Sequence, residues 1–513
     1  MRRNLCGVLV VCCVCMTGDA SAQSPPNPNY VRQQLYPSYQ DFKSNLLATV
    51  GIADPTQRTT ALNNLWSTLQ SAGQVPYAQD NQVAFLYRGS GSSVVWPGDF
   101  NGWNSAASSW QGTQFPGTNL WIVEKTLPTD ARLDYKVVVN GNWILDPANS
   151  LQMWGGFGPN SELRMPDYVF PQETVRQAGI PQGTLTGNIT TASTHLGYSV
   201  NHRVYTPAGY DAENLSDLPV VYVTDGHEYA ADYLGSMVVV LDNLIAAGEL
   251  QPTMAVFIDP RDPNNAGNNR RASEYTGNAN FANFVSDELV PLVDTNFRTQ
   301  AIADARVILG TSYGGINSAY FGAMRSDVFG KIAVQSPASS SIFNQYGSLP
   351  LQDDLELFVT AGTINDGGTG VSFTNLLNSQ GYDYSFVQTN ESHSWGQWRG
   401  LLDDILMGLI GPATSPGDFD NDGDGDGRDF LVWQRGGSPS PLSGIDLADW
   451  QANYGVGSLT AANVAVPEPG SLTLLIGLVL LRLPVRRLAI TALQICCESR
   501  FAGGQIHPGR DLL

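Results

Sequence analysis

A Gly-x-Ser-x-Gly motif at 310–314 places Ser312 between a short apolar run and a helical pattern. The run Val-Ile-Leu at 307–309 predicts a buried strand, and residues 316–324 predict a helix. A strand, a tight turn with small residues around a serine, and a helix together form a nucleophile elbow. The Ser312 hydroxyl would then lie at the carboxyl end of a sheet, where it could attack a carbonyl carbon. Because 53 of 513 residues are glycine, an ordinary glycine-rich turn is the competing interpretation.

An activated serine needs a general base, and the chain has five histidines, at 195, 202, 227, 393 and 507. Only His393 follows Ser312 within the region of alternating strands and helices, as the order Ser, Asp, His of α/β hydrolases requires. It comes directly after the strand predicted at 384–387, so it would lie at the same sheet edge as Ser312. The order and the location favour a catalytic role over a structural one.

The orienting acid is predicted to be Asp366, which follows the strand predicted at 355–359. Asp353 and Asp354 precede that strand and would lie at the opposite edge of the sheet. A turn-capping carboxylate is the alternative interpretation of Asp366. The oxyanion hole would use the backbone N–H groups of Tyr313 and, in the loop after the strand 220–223, of His227.

These residues lie in segments that resemble the esterase family that includes enterochelin esterases, the feruloyl esterase module of bacterial xylanases (carbohydrate esterase family 1), esterase D and mycolyltransferases. The resemblance rests on the segments at 221–226, 268–275, 288–291, 310–315, 362–366 and 393–399. It implies an α/β-hydrolase domain in which Ser312 is the nucleophile, His393 the base and Asp366 the acid.

The resemblance also suggests three substrate-binding residues. Arg271 and Glu274 match a recurring Arg-x-x-Glu whose arginine lies near the acyl pocket in parts of the family, although they could equally form a structural ion pair. Trp395 belongs to the segment at 393–399, which also contains His393.

The expected activity is hydrolysis of a carboxylic ester through an acyl-enzyme, with no cofactor for the chemistry. Feruloyl or acetyl esters of polysaccharides are the favoured substrates. A siderophore esterase of the enterochelin type and an acyltransferase are the alternatives within enzymes. A non-catalytic carbohydrate-binding surface protein is the alternative outside them.

Hydrophobic periodicity divides the region before position 413 into three parts. Residues 23–80 predict helices, with a helix start at Asp54-Pro55. Residues 81–170 alternate with period two between glycine turns and predict an immunoglobulin-like β-sandwich. Residues 171–412 alternate strands with helices and predict a mostly parallel sheet, so the fold class is α/β.

Within the predicted sandwich, Gly-Asp-Phe-Asn-Gly-Trp at 98–103 and Tyr-Lys-Val-Val-Val-Asn-Gly at 135–141 resemble the early-set domain of glycogen-branching enzymes and carbohydrate-binding module family 48. Tryptophans could stack on sugar rings there, although each is more often a core residue. The candidates are Trp96, Trp103, Trp121, Trp143 and Trp154.

Beyond 412 the composition becomes acidic. Residues 413–456 resemble one repeat of a dockerin, which implies a structural Ca²⁺ in one loop and a cohesin-like partner. The candidate ligands are Asp418, Asp420, Asp422, Asp424 and Asp429. Residues 457–513 resemble a PEP-CTERM sorting tail, with Val-Pro-Glu-Pro-Gly at 466–470, an apolar run and arginines, and so imply a sorting partner. A solvated acidic linker and a simple membrane helix are the respective alternatives.

The N-terminal residues 1–22 predict a signal peptide, with Arg2-Arg3, an apolar stretch and Ala-Ser-Ala at 20–22. The predicted location is therefore the cell envelope or the extracellular space. A formal net charge of −20 argues against nucleic acid as a partner. All six cysteines lie at the two ends of the chain, which excludes a thiol nucleophile from the central region.

Overall fold

The computed structural model describes residues 26–352, 354–412, 417–419, 425–438 and 441–455. The chain divides into a unit of residues 1–458 and a unit of residues 459–513, and the second lies outside the described residues. The predicted signal peptide and sorting tail lie outside them as well. Among the described residues, no helix has the length and apolar character that crossing a bilayer requires.

Two helices precede the first strand, α1 (Tyr39–Val50) and α2 (Pro55–Ser71). Ser38 and Asp54 cap them by accepting hydrogen bonds from the amides of Asp41 and Gln57. Proline at the first position of α2 fits a helix start, because a backbone N–H there would have no partner in the helix. The helices bury their apolar faces against the first strands of the next domain.

Residues 77–164 form an all-β domain, called the β-domain below. Its strands build three antiparallel sheets in the orders β1-β2-β5-β4, β3-β7-β8 and β6-β10-β9. Their core holds fully buried aromatic side chains, among them Phe85, Trp96 and Tyr135. The immunoglobulin-like character of this domain stays a prediction. The strands are β1 (Tyr77–Gln79), β2 (Gln82–Arg88), β3 (Val94–Val95), β4 (Thr113–Gln114), β5 (Leu120–Thr126), β6 (Arg132–Tyr135), β7 (Val137–Val139), β8 (Asn142–Ile144), β9 (Gln152–Gly155) and β10 (Gly158–Arg164).

The larger domain is built on a nine-stranded sheet with the order β11-β13-β15-β14-β18-β19-β20-β21, in which β12 also pairs with β13. Strands β14, β15 and β18 to β21 are parallel, and β11 to β13 join antiparallel at one edge. A separate hairpin, β16 and β17, precedes the fifth helix. The strands are β11 (Thr184–Leu185), β12 (Ile189–Ala192), β13 (Ser199–Thr206), β14 (Val220–Val223), β15 (Met254–Asp259), β16 (Arg261–Asp262), β17 (Asn265–Asn269), β18 (Arg306–Thr311), β19 (Lys331–Gln335), β20 (Glu356–Gly362) and β21 (Tyr384–Thr389).

Helices cover both faces of this sheet, which explains why its central strands are apolar throughout. In β14, Val220 and Tyr222 enter one core with helices α7, α8 and α10, whereas Val221 and Val223 enter the other with α4 and α12. A π-helix, Phe284–Leu289, joins α6 to α7. The helices are α3 (Gly226–Tyr229), α4 (Met237–Ala247), α5 (Arg271–Glu274), α6 (Ala279–Asn283), α7 (Val290–Asn296), α8 (Tyr313–Met324), α9 (Asn344–Ser348), α10 (Thr369–Gln380), α11 (Trp395–Arg399), α12 (Leu402–Leu409), α13 (Gly427–Gln434) and α14 (Gly444–Asn453).

Candidate active site

Ser312 is the single residue between strand β18 and helix α8. Its backbone has φ 60° and ψ −114°, a conformation that costs free energy for a residue with a side chain. Three hydrogen bonds hold this turn: the Ser312 amide donates to Gln335 O at 3.0 Å, and the amides of Ala338 and Ile316 donate to Ser312 O at 3.1 and 3.2 Å. The sharp, strained turn between strand and helix is the geometry of a nucleophile elbow.

The glycines of the motif are required by close packing around this turn. A Cβ on Gly310 would lie 2.2 Å from Thr224 Oγ1, and one on Gly314 would lie 2.6 Å from the same atom. A Cβ on Gly315 would lie 2.7 Å from Gln335 O. The glycine pattern seen in the sequence therefore has a specific steric cause, unlike that of an ordinary loop.

His393 and Asp366 form a hydrogen-bonded pair in the loops that follow β21 and β20. His393 Nδ1 lies 2.7 Å from Asp366 Oδ1. The second carboxylate oxygen, Oδ2, accepts a hydrogen bond from the Gly362 amide at 2.7 Å. The Asp366 side chain is 1% exposed and that of His393 is 32% exposed. The rings of Trp398 and His393 lie at right angles to each other, with ring centroids 4.9 Å apart. The imidazole is thus held at one nitrogen by a buried carboxylate and is accessible to solvent.

Ser312 and His393 line the same cavity, which has a volume of about 590 Å³ and lies between the larger domain and the β-domain. Its wall is made by both domains, because the β-domain contributes residues from β6 to β10 and from the turn after β3. The cavity-lining residues are Asp99, Trp103, Asp134, Lys136, Trp143, Gly155, Gly156, Phe157, Gly158, Asn160, Glu228, Asn269, Arg271, Ser312, His393, Ser394, Trp395 and Trp398.

Arg271 and Trp395 lie in this cavity wall, whereas Glu274 does not. Arg271 Nε donates to Asp225 Oδ2 at 2.7 Å, and its Nη2 donates to Thr311 O at 3.2 Å. Glu274 is fully buried and instead accepts a hydrogen bond from Tyr198 OH at 2.9 Å. The alternative prediction of an ion pair between Arg271 and Glu274 is therefore wrong, because Arg271 forms its ion pair with the buried carboxylate of Asp225.

The two residues proposed for the oxyanion hole belong to different elements. Tyr313 directly follows Ser312, and its ring lies 5.2 Å from the guanidinium of Arg271. His227 lies in α3, after the carboxyl end of β14, with its Nδ1 3.4 Å from Asp259 Oδ1. Burial lowers the pKa of His227 to about 4, so its ring is neutral at pH 7. Neither Tyr313 nor His227 is among the residues that line the cavity.

Several ionisable groups of the cavity wall have shifted pKa values. Burial raises the pKa of Glu228 to about 7, with a further contribution from the charge of Asp225. Burial and then the charge of Asp134 raise the pKa of Asp99. Burial lowers the pKa of Lys136. Asp99 and Glu228 therefore carry less negative charge at neutral pH than free carboxyl groups would.

Sequence reasoning missed the contribution of the β-domain to this cavity. Asp99 and Trp103 lie in the motif at 98–103, and Lys136 lies in the motif at 135–141, but both motifs indicated a domain type and no site. Trp103 and Trp143 line the cavity, whereas Trp96 and Trp121 are buried in the β-domain core. Trp154 lies outside the wall and packs edge-on against Tyr233.

The predicted calcium loop lies partly outside the described residues. Asp420, Asp422 and Asp424 lie outside the described residues. Asp418 and Asp429 are buried, and Asp429 accepts hydrogen bonds from the amides of Phe419 and Asp426 at 2.6 and 2.7 Å. Within the described ranges, no three His, Cys, Asp or Glu side chains are arranged to hold a metal ion. Calcium binding stays a prediction.

A mixed sheet with helices on both faces, with a serine at a strained strand-to-helix turn, defines an α/β-hydrolase-like domain. Residues 193–409 of the chain match the family model Esterase, described as "Putative esterase". The uncharacterized protein YjcH of Bacillus subtilis (strain 168) is 24% identical over 224 residues, which are 40% of this chain and 90% of that protein.

Two further proteins are similar to this chain. An endo-1,4-beta-xylanase/feruloyl esterase of Xylanibacter ruminicola is 26% identical over 210 residues, 38% of this chain and 27% of that protein. The crystal structure of the enterobactin esterase FES from Shigella flexneri matches with a TM-score of 0.53 at 22% identity, covering 64% of this chain and 92% of that one. This structural match includes more of the chain than the larger domain alone.

Proposed function

We propose that this protein is a serine carboxylic-ester hydrolase that acts through an acyl-enzyme. The observation that carries the proposal is that Ser312 and His393 line one cavity while Asp366 holds the far nitrogen of the His393 ring. Similarity of residues 193–409 to the esterase family supports the same reaction class.

In the proposed mechanism, Ser312 Oγ attacks the ester carbonyl while His393 Nε2 takes the hydroxyl proton. Asp366 fixes the Nδ1–H tautomer and stabilises the imidazolium that forms. The amides of Tyr313 and His227 hold the oxyanion. The proton on His393 passes to the leaving alcohol, and an acyl-enzyme remains. Water, deprotonated by His393, then attacks the acyl carbon, and the acid leaves as Ser312 regains its proton.

Esters of polysaccharides, with feruloyl or acetyl groups, are the proposed substrates. Trp103 and Trp143 give the cavity two indole surfaces of the kind that stack on sugar rings, and polar groups of the β-domain lie beside them. One relative is named for both xylanase and feruloyl esterase activities. Export to the cell envelope, with a mature N-terminus at Gln23, is part of the proposal and can be tested by N-terminal sequencing.

Turnover of p-nitrophenyl acetate by the full chain tests the reaction class. Ser312→Ala should abolish it, since no other described group is placed as the nucleophile. Ser318→Ala is the matched control, because this buried serine lies on α8 outside the cavity wall. Equal rates for Ser312→Ala and the wild-type protein would exclude the mechanism, and equal rates at the level of the uncatalysed reaction would favour a non-catalytic carbohydrate-binding protein.

Four substrates then separate the chemical classes. Methyl ferulate and acetylated xylan represent the proposed polysaccharide esters, a catecholate ester represents the siderophore alternative, and added sugar acceptors detect acyl transfer. A kcat/KM for the catecholate ester far above those of the other esters would reject the proposed substrate class while retaining the reaction.

A further inference from the structure

The β-domain contacts both loops that carry the proposed catalytic acid and base. Asn365, next to Asp366, donates from Nδ2 to the backbone oxygen of Asp99 at 2.6 Å. Arg132, on β6, donates from Nη1 to Ser394 Oγ at 3.1 Å, and Ser394 directly follows His393. These contacts join residues more than 260 positions apart, and each lies one residue from a catalytic group.

Arg132 is buried, and carboxylates of its own domain fix its guanidinium. Its side chain is 1% exposed. Its Nε donates to Glu162 Oε1 at 2.9 Å, and its Nη2 donates to Asp134 Oδ1. Glu162 is itself held by Arg164 at 2.8 Å. Because two edges of the planar guanidinium are occupied within the β-domain, the position of the remaining Nη1 is determined by that domain.

Residues 391–396, which include His393, surround the remaining Nη1 edge of the guanidinium. Glu391 Oε2 lies 3.7 Å from Nη1. Glu391 comes two positions before His393 in the chain, whereas Ser394 comes one position after it. A Cβ on Gly396 would lie 2.0 Å from Cζ and from Nη1 of Arg132, so the first turn of α11 lies directly against the guanidinium. Three residues within three positions of His393 therefore contact one side chain of another domain.

We propose that Arg132 is a positioning residue that holds the His393 loop in its reactive geometry, so that the β-domain is part of the catalytic machinery. The inference rests on the proposed function, because it assigns to Arg132 an effect on the reaction of Ser312. Small displacements matter for such a base, since a misplacement of about 1 Å can cost ~10²-fold in rate. Lysine could not replace this arginine, because an ammonium lacks the fixed fork that reaches two carboxylates and a hydroxyl at once.

The test uses the full chain with Ser394→Ala and Arg132→Lys. Ser394→Ala removes the hydrogen bond to the loop but leaves the ion pairs of Arg132 within the β-domain intact. Ser392→Ala is the matched control, because Ser392 is also a buried serine, directly precedes His393 in the chain and makes no hydrogen bond to Arg132 among the described contacts. Titration with a p-nitrophenyl phosphonate counts the reactive serines, and p-nitrophenyl acetate gives the turnover per titrated site.

We expect full titration and unchanged KM in Ser394→Ala, with kcat per titrated site lowered ~10-fold, and ~100-fold in Arg132→Lys. A purely structural role predicts fewer titratable sites with normal kcat at each, and this result would overturn the proposal. An equal loss in Ser392→Ala would also overturn it. If Arg132→Lys does not fold, Ser394→Ala decides alone. A wild-type protein that neither reacts with the phosphonate nor turns over ester would reject the proposed function, and the role of Arg132 with it.

Discussion

Asp366 divides its carboxylate between two donors, with Oδ1 2.7 Å from His393 Nδ1 and Oδ2 2.7 Å from the Gly362 amide. The amide of Gly362 can only donate. It therefore fixes which atom of an asparagine at position 366 would face the imidazole.

Asp366→Asn should lower kcat by ~10³–10⁴-fold with little change in KM. The asparagine oxygen would accept from Gly362, and its NH₂ group would face His393 Nδ1. The imidazole would then carry its proton on Nε2 and could not take the proton of Ser312. Stopped assays with p-nitrophenyl acetate measure the loss of activity. Asp383→Asn is the control, because Asp383 is exposed, and it should retain full activity. Activity of Asp366→Asn within ~10-fold of wild type would contradict the role of Asp366.

Gly396→Ala should displace the guanidinium of Arg132. The added Cβ would lie 2.0 Å from two of its atoms, and the guanidinium cannot move without losing its carboxylate partners. We expect a loss of about 1–3 kcal/mol in the free energy of unfolding, together with lower kcat. Denaturant unfolding and p-nitrophenyl acetate turnover give the two values. Gly187→Ala is the control, because no atom lies within 4 Å of the position that its Cβ would take, and neither quantity should fall. Wild-type values for Gly396→Ala would show that the contact is easily relieved.

Trp143→Ala separates recognition of sugar from ester chemistry. The Trp143 side chain lines the cavity and is 47% exposed, so its removal should not disturb the fold. We expect KM for acetylated xylan fragments to rise ~10-fold, since an indole stacked on a ring contributes about 1 kcal/mol or more. Turnover of p-nitrophenyl acetate should stay unchanged. Trp66→Ala, on α2 outside the cavity, controls for the loss of an indole. Parallel losses on both substrates would contradict a role in sugar binding.

The local features of the site could be predicted from the sequence because each is encoded by neighbouring residues. The elbow at Ser312 follows from a strand, two glycines and a helix in immediate succession. The shared location of the loops that carry His393 and Asp366 could be predicted because each loop follows a parallel strand, and the carboxyl ends of parallel strands meet at one edge of a sheet.

Contacts between distant segments could not be predicted in this way. Arg132 and Ser394 are 262 positions apart, and nothing in the local pattern of either indicates the other. The partner of Arg271 was missed for a related reason. The resemblance to the Arg-x-x-Glu of the esterase family suggested Glu274, whereas the buried carboxylate of Asp225 comes from the turn after β14, 46 positions earlier.

His202 should make the protein sensitive to acid. It is 2% exposed, its Nδ1 has no hydrogen-bond partner among the described residues, and burial lowers its pKa to about 4. Unfolding restores a value of about 6.5, so the unfolded chain binds a proton between pH 6.5 and 4 that the folded protein does not bind. Stability therefore falls as the pH falls through this range, by about 1.4 kcal/mol per pH unit for this one proton. His202→Leu removes the group, and urea unfolding at pH 6.5, 5.5 and 4.5 should give a shallower loss than the wild-type protein shows. Parallel stability curves for the two proteins would mean that His202 titrates alike in both states, which its burial on β13 opposes.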